Sequence, residues 1–144
     1  MECNLEWLVG LSITKIERFG QSYWRFTFGL DSVLTAECPW RVIKDGRIVL
    51  SSEDHGQRFG HPQPIDAESE CKELIENRLI ESISVSDETR DLKIEFGKGL
   101  RLEIIPLSSG YESWQISGPG RFLVVVQGGG NMAVWERDAE PEAE

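Results

Sequence analysis

His55 and His61 stand in a glycine-rich stretch beside Glu53 and Asp54, and imidazoles next to carboxylates are the raw material of a metal site or an acid-base pair. Neither histidine lies in a helical or strand register that would aim it at a common point. Turn capping or contact with a partner is therefore the reading favoured for both. Gly128-Gly129-Gly130 invites comparison with phosphate-cradling loops, but such loops need a following helix with its amide protons facing the anion. Met132 to Trp135 reads as a strand and no Lys-Ser or Lys-Thr follows the glycines, so a hairpin with a bulge is expected there.

Glu37, Glu103 and Glu112 lie near Trp40, Tyr111 and Trp114 in sequence. Paired carboxylates about 5 to 9.5 Å apart in an aromatic-lined cleft would suit glycoside hydrolysis. Acids are so frequent in this chain that such neighbours arise by chance. No serine sits in a Gly-x-Ser-x-Gly elbow. No catalytic residue, metal ligand or cofactor is assigned. The binding candidates are Trp40, His55, His61, Glu112 and Trp114. Trp40 and Trp114 are expected to be exposed, at corresponding ends of two halves, whereas Trp24 and Trp135 fall in apolar strand patterns and are expected in the core.

These residues must be positioned by a chain of 144 residues, which is the length of one domain and long enough for a core without disulfides or metals. Cys3, Cys38 and Cys71 are odd in number and lack a C-x-x-C spacing. Free thiols suit a reducing cytosol. No leader-like or membrane-spanning apolar run is present, so the chain is expected to be cytoplasmic, with no membrane partner. The net charge is −10, of which −4 lies in Glu136 to Glu144. An acidic body repels phosphate backbones, which disfavours nucleic acid, and it attracts basic proteins.

The stretch from Leu8 to Glu37 is echoed from Ile75 to Glu103. A shift of 67 places Leu8 on Ile75, Ile13 on Ile80 and Ile16 on Ile83; a shift of 68 places Trp24, Phe26 and Phe28 on Leu92, Ile94 and Phe96. A shift of 66 then places Leu34 on Leu100 and Ala36 on Leu102. In each copy apolar residues alternate with polar ones, the signature of half-buried antiparallel strands. Asp45-Gly46, between Arg41 to Lys44 and Arg47 to Leu50, signals a two-residue type I′ hairpin. From Asp66 to Glu76 the period changes: Ala67, Cys71, Leu74 and Ile75 share one helical face, with Asp66 as N-cap and Asn77 as a left-handed stop. Glu68 to Lys72 and Lys72 to Glu76 are charge pairs on its wet side. Tyr111 to Ile116, Phe122 to Val126 and Met132 to Trp135 read as three more strands. The unbroken apolar run of the second belongs at the centre of the sheets with both faces covered.

Trp7-Leu8-Val9-Gly10, Phe26-Thr27-Phe28-Gly29, Trp40-Arg41, Gly60-His61-Pro62, Phe96-Gly97, Tyr111 to Ile116, Gly118-Pro119-Gly120 and Gly128 to Trp135 together resemble a family of small uncharacterised bacterial proteins. Some members of that kind look like immunity proteins of polymorphic-toxin systems. The resemblance implies a single two-repeat β domain and carries no catalytic residues.

The expected fold is mainly β (α+β). Residues 1–136 form one globular domain of two related antiparallel meanders, as a sandwich or a partly open barrel, with one helix at about residues 66–76. Residues 137–144 form an acidic tail without an apolar anchor, expected to be disordered. The expected function is non-enzymatic binding, in its concrete form an immunity-type protein masking a basic toxin. The alternatives are a small-ligand or sugar-handling domain built on the aromatics and acids, and a structural homo-oligomer joined at open strand edges. The segments outside the echo, namely the Asp45-Gly46 hairpin, the histidine loop and the glycine-rich C-terminal hairpins, are the expected places for added function.

Overall fold

The computed structural model describes residues 3–136, and there the period-two patterns become strands. β1 (Ile13–Phe19), β2 (Tyr23–Phe28) and β3 (Ser32–Ala36) form an antiparallel meander in which Ile16 faces Phe26 and Phe26 faces Leu34. All three side chains are fully buried, because alternation sends them to one side of the sheet. β4 (Trp40–Lys44) and β5 (Arg47–Ser51) form a hairpin closed by Asp45 and Gly46, whose φ values of 50° and 80° are the left-handed pair a type I′ turn requires.

The second meander comprises β6 (Ser82–Val85), β7 (Leu92–Gly97) and β8 (Leu100–Ile104). Ile83 faces Ile94 and Ile94 faces Leu102. The turn from Phe28 to Ser32 is as long as that from Phe96 to Leu100. Leu34 therefore matches Leu102 in place, a spacing of 68, and not Leu100, as the 66-residue shift had it.

β9 (Trp114–Ser117), β10 (Leu123–Val126) and β11 (Met132–Trp135) complete the strands. They yield a six-stranded sheet, β1-β2-β3-β9-β10-β11, and a five-stranded sheet, β5-β4-β8-β7-β6, every pairing antiparallel. The fold is a mainly β sandwich with one helix and no closed barrel. Its connectivity is reciprocal. After β3 the chain leaves the first sheet and pairs β4 with β8; after β8 it leaves the second sheet and pairs β9 with β3.

The helix α1 (Ala67–Ile75) buries Ala67, Cys71 and Ile75, and the Asp66 carboxylate accepts from Ser69 N at 3.1 Å. Asn77 takes the expected positive φ, 65°, but in a turn after the helix: Glu76 is already extended, and Arg78 N donates to Ile75 O at 3.2 Å. Glu68 pairs with Lys72 at 3.5 Å and also accepts from Arg18 N at 2.8 Å. The Glu68 contact satisfies a backbone donor of β1, while Asn77 N donates to Ile13 O and Ile80 N to Leu11 O, both at 2.8 Å. The outer edge of β1 is thereby covered. No helix among the described residues is long and apolar enough to cross a membrane.

Several expectations need correction. Trp40 and Trp114 are buried, not exposed. Trp40 pairs with Ile104 and Trp114 with Ala36, on the inward side of each strand. Trp40 packs edge-on against Trp24 at 4.8 Å and against Phe26 at 5.8 Å. Trp135, expected in the core, is 55% exposed because its partner Leu123 points outward, while Val134 faces the buried Val124. β10 lies one strand in from an edge instead of at the centre, and its predecessor begins at Trp114 and not at Tyr111. Gly128–Gly130 does join a hairpin, β10 to β11, but the pairing runs without a register shift and the connection is a tight turn with Gly129 at φ 77°. Gly128 lies so close to the Gly110 backbone that a Cβ there would approach it to 2.5 Å. The acidic stretch 137–144 lies outside the described residues.

Candidate functional site

Two crossovers run side by side at one end of the sandwich. The first, Glu37 to Pro39, joins β3 to β4; Glu37 N donates to Ser113 O at 2.8 Å, and Pro39 O accepts from Ile105 N at 2.8 Å. The second, Ile105 to Ser113, joins β8 to β9. Within it the Ser108 hydroxyl accepts from Gly110 N at 3.0 Å and Tyr111 N at 2.9 Å, a tight serine turn. The turn leaves Leu107 74% exposed and Tyr111 82% exposed.

Between the crossovers lies an open cleft of about 450 Å³ lined by Glu37, Cys38, Pro39, Leu107, Ser108, Tyr111, Glu112 and Ser113. Glu37 to Pro39 also border a depression of about 120 Å³ that reaches Gln21, Ser22 and Glu53. Leu107 and Ser108 border another, of about 240 Å³, that reaches Thr89 and Gly129. Linked by these shared residues, the three border a groove whose lining includes Glu37, Glu53 and Glu112; no lining residue is lysine, arginine or histidine, and Arg90 stands beside the third depression with its Nε 3.1 Å from Gly130 O. The dimensions of the central cleft suit a small molecule or one inserted side chain.

Burial pushes the Cys38 thiol up to about 12, which keeps it protonated at neutral pH and removes it as a nucleophile. Burial likewise raises Cys71 in α1 and Cys3. Glu103, weighed from sequence beside Glu37 and Glu112, is elsewhere. It projects from the outer face of β8, with Arg41 Nε at 2.7 Å and Arg101 Nε at 2.8 Å. Burial acts to raise its pKa, but the hydrogen bonds from Arg101 and Arg41 and their charges outweigh that and hold it below the ordinary value.

Of the residues singled out from sequence, Glu112 lines the cleft. Trp40 and Trp114 lie beneath the surface; Trp114 Nε1 donates to Arg90 O at 2.8 Å. His55 accepts from Ala67 N through Nδ1 at 3.1 Å, so it caps α1 together with Asp66. His61 is exposed and its backbone N donates to Arg58 O. Among the described residues no group of three or more histidines, cysteines or carboxylates is placed to hold a metal ion. Leu107 and Pro39 were not singled out from sequence. The available signal was an apolar residue inside Pro106-Leu107-Ser108-Ser109-Gly110, where no strand period requires one.

Residues 6–136 match the model of a family of unknown function, DUF6188. The chain belongs to that family. No curated protein and no solved structure matches the chain.

Proposed function

We propose that the protein is a non-enzymatic binding protein whose acidic groove engages a basic protein surface, and that it serves as an immunity-type protein of a bacterial toxin system. The observation that carries this reading is a central cleft lined by Glu37 and Glu112 and by no cation, with Leu107 and Tyr111 exposed in it. A net charge of −10 adds a long-range field that would steer a basic partner to the surface. The sugar-handling alternative loses Trp40 and Trp114, which are core residues, and keeps Tyr111 as its exposed ring in the cleft.

The test is co-purification with a basic toxin encoded beside the gene, followed by titration of the complex with salt. A complex that weakens steeply as ionic strength rises supports the reading. Failure to bind that protein, or binding indifferent to salt, refutes it.

A further inference from the structure

The two crossovers make equivalent connections but differ in length. Glu37 to Pro39 spans the sheets with three residues, whereas Ile105 to Ser113 uses nine. Three residues suffice to cross. The excess in the second is folded by the Ser108 turn into a wall that holds Leu107 and Tyr111 in solvent beside Pro39. Exposed leucine and tyrosine around a cleft are the composition of an interface centre, not of a connection that only needs to stay soluble.

The carboxylates identify the occupant. Glu37, from the first crossover, and Glu112, from the second, both line the cleft, and no cation lines it. We propose that this cleft is an anchor pocket for one arginine side chain of the partner. This rests on the binding reading above and adds the identity of the contact. The arginine stem lies along Pro39 and Leu107. Its planar guanidinium stacks on the Tyr111 ring and directs its fork of donors to Glu37 and Glu112. Lysine would present a compact charge without that plane or fork, and so fits the same walls less well. The small depressions on either side, toward Glu53 and toward Thr89, take the residues flanking the anchor.

The experiment uses the full chain, isotopically labelled, and three blocked tripeptides of the form acetyl-Gly-X-Gly-amide with X arginine, lysine or citrulline, followed by amide NMR. The arginine peptide is expected to shift the amides of Cys38, Leu107, Ser108 and Tyr111 to Ser113 with saturation in the millimolar range. Citrulline, which keeps the shape and loses the charge, is expected to leave them unmoved. Glu112→Gln should weaken arginine binding roughly threefold, the size of one solvent-exposed charge pair. Tyr111→Ala should weaken it roughly two- to fivefold through the lost ring face. Both residues are exposed, so neither variant threatens the fold.

No response to the arginine peptide, an equal response to citrulline, or lysine binding as tightly as arginine would overturn the anchor. The two proposals fail separately. A salt-sensitive toxin complex that Tyr111→Ala leaves intact removes the anchor and keeps the binding function. Arginine binding in the cleft without any toxin complex removes the immunity reading and keeps the pocket.

Discussion

Trp40 and Trp114 occupy matching places, each opening the strand that follows a crossover and each facing the last inward residue of the other meander. Both are buried, yet their indole N–H groups differ. Trp114 Nε1 donates to Arg90 O at 2.8 Å, whereas buried Trp40 Nε1 has no hydrogen-bond partner. Replacing either by phenylalanine removes a similar volume, a loss of about 2 kcal/mol at roughly 0.8 kcal/mol per buried carbon. Beyond that the two variants diverge. Trp114→Phe strands the Arg90 carbonyl, a further cost of about 1 kcal/mol or more. Trp40→Phe removes a donor that is already unsatisfied, which returns about the same amount. Trp114→Phe should therefore be the less stable variant by about 2 kcal/mol. With a urea slope of about 2 kcal/mol per molar, the midpoints should separate by about 1 M. Far-UV circular dichroism is the readout, since it does not rely on the tryptophans being replaced. Trp135→Phe, on the outer face, serves as control and should stay within about 0.5 kcal/mol of the parent. Equal midpoints for the two buried variants, or a lower one for Trp40→Phe, would refute the hydrogen-bond argument.

Glu103→Gln should lower stability at neutral pH. Because the folded-state pKa of Glu103 lies below its ordinary value, the parent's advantage is full above the ordinary carboxylate range and shrinks as pH falls through the folded value. Urea midpoints of parent and variant measured between neutrality and about pH 3 should converge at the acid end. Asp66→Ala should loosen the first turn of α1 at a cost of about 1 kcal/mol, seen as faster amide exchange across Ala67 to Cys71. His55→Ala should speed exchange at the same helix end without altering the groove, since His55 bonds the Ala67 amide and lines none of the three depressions.

The sequence was most legible where structure is decided within a few residues. Asp45-Gly46 dictates its own turn, and Asp66 with the Ala67, Cys71, Ile75 face sets the helix and its start. The alternation in Trp24 to Phe28 and Leu92 to Phe96 marks which side of each strand is apolar. The tryptophans were misplaced for the opposite reason. Trp40 follows a proline and Trp114 sits among polar residues, so no local period states their side; it is set by pairing with Ile104 and Ala36, far away in the chain. Trp135 sits at the end of an apolar run, but register with Leu123 turns it outward. His55 lies beside carboxylates in sequence, yet its imidazole is taken up by the amide of Ala67 at the start of α1.

The cleft was the least legible feature, because it belongs to no single segment. Each meander passes its continuation to the other sheet, and only that exchange brings Glu37 to Pro39 against Ile105 to Ser113. The second crossover, Ile105 to Ser113, lies outside the echo, as do the Asp45-Gly46 hairpin, the histidine loop and the glycine-rich hairpins. The hairpin makes a tight turn, while the histidine loop gives α1 a cap through His55 and the groove a lining residue through Glu53. The glycine loop is pinned at Gly128 against Gly110 and borders the groove at Gly129 and Gly130. The stretch from Leu107 to Glu112 is different: it exceeds what the matching crossover needs, and it holds two large apolar side chains in water. Exposing them without a partner forgoes burial that each could gain elsewhere, and the fold supports the exposure with a dedicated serine turn. On the binding function proposed above, that surplus, held in a fixed shape, is the surface the partner covers.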